Sequence, residues 1–158
     1  EISENAFKLC IEKSSERVSF FKEDLIKLDK KFDIVLCIDV FEHIENYIGF
    51  LRALREKGKI KIFHIPLDLS FNSLIRGGLM KSREELGHLH HFTPDTALAT
   101  LSDCGYEIID TMYTPHFDFP PKSLKNRIAR LPRKILYSIS AKLMSTVLGG
   151  TSMMVLAK

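Results

Sequence analysis

The hydrophobic positions of the chain form short continuous runs that alternate with longer stretches of helical spacing. The run at 34–38 is rich in β-branched residues and has no polar alternation, which is typical of a strand buried on both faces of a parallel sheet. A second run at 60–66 ends at Pro66 and also predicts a strand. We expect His64, inside that run, to be a hydrogen-bonded core residue.

Helices are predicted between these runs, because apolar residues recur there at intervals of three and four. They lie at residues 4–13, at 44–57, and between Thr93 and Gly105. Thr93 and Pro94 are an N-cap and a first-turn proline, which is typical of a helix start. Further strands are predicted at 18–22, 106–111 and 152–158, the last two antiparallel to each other. The irregular stretch 67–87 predicts a mobile loop or short helices, and the alternation as a whole predicts an α/β fold.

Composition places the chain among ordinary globular domains. It has 158 residues, of which 45% are hydrophobic and 27% charged, enough for one domain with a sizeable core. No apolar run has the length of a membrane span and no signal peptide is evident, so we expect a cytoplasmic protein. The three cysteines lie far apart without CxxC spacing and are expected to be reduced core residues: Cys10, Cys37 and Cys104.

Charge is distributed unevenly along the chain. Residues 119–158 contain eight Lys or Arg and no acid. Within a predicted insertion at 115–150, apolar residues at helical spacing predict two amphipathic pieces broken at Pro132. We leave two interpretations open: the basic segment 122–134 contacts an anionic membrane surface, or the insertion packs on the domain's own sheet or forms a lid. We expect no nucleic-acid partner, and the sequence does not indicate an oligomeric state.

Polar residues with catalytic potential follow the first apolar run directly. Asp39, Glu42 and His43 come after residue 38, and open α/β sheets bind ligands beyond the carboxyl ends of their strands. The string KFDIVLCIDVFEHIE resembles the fourth strand and following turn of class I S-adenosylmethionine-dependent methyltransferases, whose pattern is FDxVxxxDVxEHV. A second string at 88–110, HLHHFTPDTALATLSDCGYEIID, is similar to the segment that precedes their sixth strand.

The resemblance implies a Rossmann-like class I methyltransferase sheet, with strands 3 to 7 present and a helical insertion, 115–150, before the last strand. Residues 1–158 would form a single partial domain. The family's glycine-rich GxGxG motif does not occur among the eight glycines, and Glu1 resembles the end of the second strand. We therefore expect the natural protein to be longer and the 158 residues alone to be inactive.

The resemblance also implies how S-adenosylmethionine would be bound. Glu1 matches the carboxylate that accepts the ribose hydroxyls, while Asp24 matches the acceptor of the adenine amino group. The backbone amide of Leu25 would face the adenine ring. Ile38 and Asp39 would line the methionyl part of the cofactor.

The implied reaction is methyl transfer to a small-molecule or lipid-like acceptor. His43 is the candidate general base, because the pKa of a free imidazole is near 6.5, and Asp39 is its catalytic neighbour. The alternative for His43 is capping or packing in its own turn. The alternative for the whole chain is a non-catalytic or truncated module that binds a membrane surface or an anionic partner.

No metal is expected, although one alternative assigns a divalent ion. A D/ExxEH motif binds a metal in small-RNA 2′-O-methyltransferases, with a further downstream histidine. By resemblance the ligands would be Asp39, Glu42, His43 and His90, with His88 and His91 as other sources of the last ligand.

Overall fold

A computed structural model describes residues 3–120 and 124–158, without the side chains of residues 125 and 126. The strands are β1 (Phe32–Ile38), β2 (Gly58–Pro66), β3 (Ile108–Pro115) and β4 (Thr151–Ala157). The α-helices are α1 (Glu4–Ile11), α2 (Tyr47–Arg55), α3 (Phe71–Ile75), α4 (Gly78–Leu86), α5 (Pro94–Asp103), α6 (Leu124–Ile139) and α7 (Ala141–Val147). Single 3-10 turns span Phe41–His43 and His116–Asp118.

The four strands form one mixed sheet in the order β1-β2-β4-β3. β1 pairs with β2 in parallel, with Ile38 opposite His64. β4 runs antiparallel to both of its neighbours, with Ser152 opposite Pro66 on one side and Thr114 on the other. The parallel pair, the antiparallel last strand and the helical insertion before it confirm the predicted Rossmann-like α/β sheet.

The strand predicted at 18–22 does not form. Its β pairing in the described residues is limited to an isolated bridge between Ser15 and Val18, and Val18 and Phe21 are about half exposed. The strand order that the resemblance implies is 3-2-1-4-5-7-6, so two further strands would separate this segment, as strand 3, from β1, as strand 4. Within residues 3–120 and 124–158 no strand edge lies beside this segment, so the apolar pattern alone does not produce a strand.

The helices differ from the predictions at two places, 44–57 and Pro132, whereas at 67–87 one of the two predicted alternatives is found. The helix predicted at 44–57 is shorter and begins at Tyr47, with Asn46 as its N-cap. The stretch 67–87 contains two short helices, α3 and α4. The break predicted at Pro132 is wrong, because α6 continues through it and the helix axis breaks at Ser140 instead. A proline leaves the carbonyl four residues earlier without its helical donor, and the exposed position of Ile128 lets water replace that donor.

One face of the sheet carries the hydrophobic core. Helices α2 and α5 pack on it, and α5 begins with the predicted Thr93 N-cap in a capping box. The strand residues of this face are 0–5% exposed, as are the helix residues that cover them: Val35, Cys37, Phe63, Ile65, Met153, Val155, Leu51, Leu54, Ala97 and Leu101. Two of the predicted core cysteines, Cys37 and Cys104, are buried and unpaired, and Cys10 is partly exposed.

The opposite face of β1 lies in solvent. Its side chains alternate with the buried ones, and the exposed fractions are 57% for Ile34, 63% for Leu36 and 43% for Ile38. The apolar run of β1 is thus buried on one face, not on two as the sequence predicts. None of the helices in the described part of the chain combines the length and the apolar character that crossing a membrane requires.

Candidate active site

The site begins where β1 ends, at a residue with unusual backbone geometry. Asp39 has a φ of 50°, a left-handed conformation that few residues other than glycine adopt and that Asp tolerates better than most. Its N–H donates to the His64 carbonyl at 3.1 Å, which extends the pairing of β1 with β2 by one residue. The chain then turns into the 3-10 segment that carries Glu42 and His43.

A histidine of the neighbouring strand holds the Asp39 carboxylate. His64 Nδ1 donates to Asp39 Oδ1 at 2.6 Å, so its Nε2 can accept from the Thr114 hydroxyl at 3.1 Å. His64 is therefore hydrogen-bonded, as its position inside a strand predicts. The three side chains link the ends of β1, β2 and β3.

Glu42 is fully buried and its carboxylate lacks hydrogen-bond donors. Its exposed fraction is 0%, and neither oxygen has a hydrogen-bond partner among the described residues. Burial, with a smaller contribution from the charge of Asp39, raises the pKa of Glu42 to about 7. The nearest cation-forming atom is His43 Nε2, at 3.8 Å from Oε1. An unpaired buried carboxylate is costly, which is typical of functional sites.

The backbone of Glu42 brings the histidine-rich segment to the site. Its carbonyl accepts from the N–H groups of Leu89 and His90, at 2.8 and 3.1 Å. These two hydrogen bonds join the segments, and the His88 ring lies 4.9 Å from the ring of His43. The turn after β1 and the segment before α5 therefore form one site.

Asp68, just beyond the end of β2, orients His88. His88 Nδ1 donates to Asp68 Oδ2 at 2.5 Å, and the Ser82 hydroxyl donates to the same oxygen at 2.8 Å. His91 Nδ1 lies 3.8 Å from that oxygen, and burial lowers the pKa of His91. Asp68 therefore fixes the tautomer of His88 and leaves its Nε2 with the lone pair.

The arrangement could hold a divalent cation. His43 Nδ1 donates to the Gly87 carbonyl at 3.1 Å, so its Nε2 also carries a lone pair. The ligand-capable atoms of Glu42, His43 and His88 lie within 4.8 Å of one another. A second group of the same kind shares His88 and comprises Asp68, His88 and His91. One carboxylate with two imidazoles is a donor set that suits zinc and other transition metals.

The site residues expected from the sequence take different places. Asp39 and His43 lie in the turn after β1, but Asp39 bonds to His64 and is not one of the clustered ligand atoms. His90, the last ligand in the alternative that assigns a divalent ion, donates through Nε2 to the Ile44 carbonyl at 3.0 Å and lies against the Tyr47 ring. His88, another histidine that this alternative offers, lies beside Glu42 and His43.

The expected cofactor residues lie before β1 and at its end. Asp24 accepts from the N–H of Ile26 at 2.9 Å, so it closes a turn. Leu25 is half-buried against the core, and Ile38 remains exposed at the end of β1. Glu1 lies outside the described residues. Asp68, which sequence reasoning missed, had one signal: like Asp39, it is an acid that follows the end of an apolar strand.

The strand order, with an acidic turn beyond the first parallel strand, defines a Rossmann-like class I methyltransferase fold. Residues 7–111 match the family described as a methyltransferase domain, and the chain belongs to that family. No curated protein matches the sequence.

Several solved methyltransferases have a similar fold. Magnesium protoporphyrin IX methyltransferase from Synechocystis PCC 6803, solved with bound SAH, is 17% identical with a TM-score of 0.57; the match covers 99% of this chain and 60% of that one. A SAM-dependent methyltransferase from Archaeoglobus fulgidus is 19% identical with a TM-score of 0.58, covering 100% and 73%. An S-adenosylmethionine-dependent methyltransferase from Mesorhizobium loti is 15% identical with a TM-score of 0.58, covering 99% and 77%.

Identities this low establish the fold alone. The Synechocystis enzyme has also been solved with bound SAM, the cofactor of this family. The present chain spans 60% of the length of the Synechocystis chain that was solved with SAH.

Proposed function

We propose that the protein transfers a methyl group from S-adenosylmethionine to a small-molecule or lipid-like acceptor. One observation carries the proposal within a methyltransferase-family chain: Asp39, Glu42 and His43 gather in one turn at the carboxyl end of the parallel strand pair. Ligands of open α/β sheets bind beyond this edge. The sulfonium of the cofactor is already activated, so the protein has mainly to bind and align the two reactants.

The cofactor contacts are assigned to residues on both sides of β1. Ile38 and Asp39 line the methionyl part, and the hydrogen bond from His64 keeps the Asp39 carboxylate in one orientation. Asp24 accepts the adenine amino group, and Leu25 faces the ring through its backbone amide. Glu1 accepts the ribose hydroxyls through charge-assisted hydrogen bonds.

His43 is the candidate general base. Its side chain is 36% exposed, whereas Glu42 and His88 beside it are buried, so an acceptor reaches His43 most easily. The bond from Nδ1 to the Gly87 carbonyl leaves the lone pair on Nε2. A base in this position would take the proton of an acceptor hydroxyl or amine as the methyl group is transferred.

Two measurements on the intact gene product test the proposal. Titration calorimetry with S-adenosylmethionine should detect binding, and labelled methyl transfer should be measured against hydroxyl- and amine-bearing small molecules and lipids. We expect His43→Gln to lower turnover by roughly 10²- to 10⁴-fold, the usual contribution of a general base, while leaving cofactor affinity unchanged. A variant that loses cofactor affinity instead would contradict the base assignment.

The second candidate function is a non-catalytic module of methyltransferase fold that binds a membrane surface or an anionic partner. The observation in its favour is that residues 119–158 contain eight Lys or Arg and no acid, a charge that attracts anionic surfaces. The same calorimetric titration decides between the two functions. An intact gene product without cofactor affinity would leave only the non-catalytic module.

A further inference from the structure

The helix α6 exposes a continuous apolar stripe. Five of its apolar residues recur every three or four positions, so these five lie on one side of the helix. Each of them is more than half exposed: Leu124 71%, Ile128 68%, Leu131 66%, Ile135 55% and Ile139 74%. The expectation that the stripe packs on the domain's own sheet is therefore wrong for the described structure.

The opposite side of α6 is the one that contacts the protein. The half-buried positions of the helix are Ala129, Arg130, Arg133, Leu136 and Tyr137. The Tyr137 ring packs edge-on against the Phe117 ring at 5.4 Å. Lys134 Nζ lies 5.9 Å from the centre of the Phe117 ring. The stripe thus faces away from the rest of the protein, while the opposite side of the helix packs against Phe117.

The charge on α6 has one sign. The helix carries five basic residues and no acid: Lys125, Arg127, Arg130, Arg133 and Lys134. At about 100° of rotation per residue, Arg127 and Lys134 flank the stripe on the same side. The surface that complements both features is apolar inside and anionic outside, as an anionic lipid leaflet is. A second copy of this chain would fit less well, because it would bring two basic helices together.

The insertion leaves the sheet at the edge that carries the candidate active site. Ser152, at the start of β4, pairs with Pro66 at the carboxyl end of β2, and with Thr114 near the end of β3. Thr114 is hydrogen-bonded to His64, which holds Asp39. A helix docked from this insertion would therefore keep the site edge near the surface to which it binds.

We propose that α6 is an interfacial helix that docks the protein on anionic membrane surfaces, with the stripe in the lipid and the flanking side chains of Arg127 and Lys134 on the headgroups. Docking does not depend on catalysis. Docking on a membrane would bring the site to lipid-like methyl acceptors. This consequence rests on the proposed function.

Vesicle sedimentation of the intact gene product tests the docking. Phosphatidylcholine vesicles with phosphatidylglycerol should sediment the protein, those without it should not, and added salt should release the protein. We expect Leu131→Asp to abolish most of the binding. Each basic side chain near an anionic surface strengthens binding by about fivefold, so the charge reversal Arg127→Glu should weaken binding by about tenfold or more.

Leu36→Asp is the matched control, because Leu36 on β1 is 63% exposed and Leu131 is 66% exposed. It should bind vesicles like the unchanged protein. Circular dichroism should show the same helix content for all variants, and titration with S-adenosylmethionine should give the same affinity, which separates docking from cofactor binding. The proposal is overturned by absent sedimentation on anionic vesicles at low salt. Salt-sensitive binding that survives Leu131→Asp also overturns it, because the vesicles would then attract the charges without using the apolar stripe.

Discussion

The two faces of the sheet differ in burial although the same strands supply both. In β1, Val35 and Cys37 are 5% and 2% exposed, and Leu36 between them is 63% exposed. Both sets of residues are apolar, so the difference comes from the helices α2 and α5, which cover one face only. The comparison shows that an apolar run indicates which side chains can be buried. Whether they are buried depends on the elements that cover each face of the sheet.

The largest effect is expected for an aromatic residue of the covered face. The Phe63 ring is fully buried and packs edge-on against Tyr106 at 5.1 Å and Phe41 at 6.3 Å. Phe63→Ala should lower the free energy of unfolding by about 3–5 kcal/mol, from lost burial and the cavity left behind. Urea denaturation of the purified chain measures it, and a loss below about 1 kcal/mol would mean that the face is not tightly packed.

The second-largest effect is expected for a leucine of α2, a helix that covers the sheet. Leu54 of α2 is 1% exposed, and Leu54→Ala should cost about 2–5 kcal/mol of unfolding free energy. The denaturation midpoint should fall while the dependence on urea concentration stays the same. An unchanged midpoint would show that α2 is not needed to cover the sheet.

A smaller effect is expected for a buried hydrogen bond across the same interface. The Tyr106 hydroxyl donates to the Leu51 carbonyl of α2 at 2.6 Å. Tyr106→Phe keeps the ring and removes this bond, so we expect a loss of roughly 0.5–1.5 kcal/mol. A thermal melt compared with that of Leu54→Ala measures it, and an equal shift for the two variants would contradict the ranking.

The smallest effect is expected on the open face. Leu36→Ala makes the same chemical change as Leu54→Ala at an exposed position, and it should alter the free energy of unfolding by no more than about 0.5 kcal/mol. The two leucines are thus a matched pair for the two faces. A cost near that of Leu54→Ala would show that the open face is covered in solution, by another copy or by another part of the protein.

Local patterns explain which parts of the fold could be predicted. β1, β2 and the capped start of α5 depend on residues close in sequence, and the prediction located all three. The failures at 18–22 and at Pro132 depend on surroundings: the first segment has no neighbouring strand edge in the described part of the chain, and the second lies where water can reach the freed carbonyl. Neither condition can be seen in the residues themselves.

The prediction of the candidate site depended on the same kind of local pattern. Asp39, Glu42 and His43 adjoin a strong strand signal, so their meeting in one turn could be expected. The sequence could not indicate that His88 rather than His90 lies beside Glu42 and His43, because both histidines belong to one irregular segment without helical or strand spacing. It depends on two hydrogen bonds to the Glu42 carbonyl and on the distant Asp68.

The position of β4 has a consequence for how the protein is made. β4 is the last of the four strands in the sequence, yet it lies between β2 and β3. Chains emerge from the ribosome from the N-terminal end, so β2 and β3 exist for some time with unpaired edges and nothing between them. β4 can therefore join the sheet only by inserting between two strands that already exist, once residues 151–157 have been synthesised.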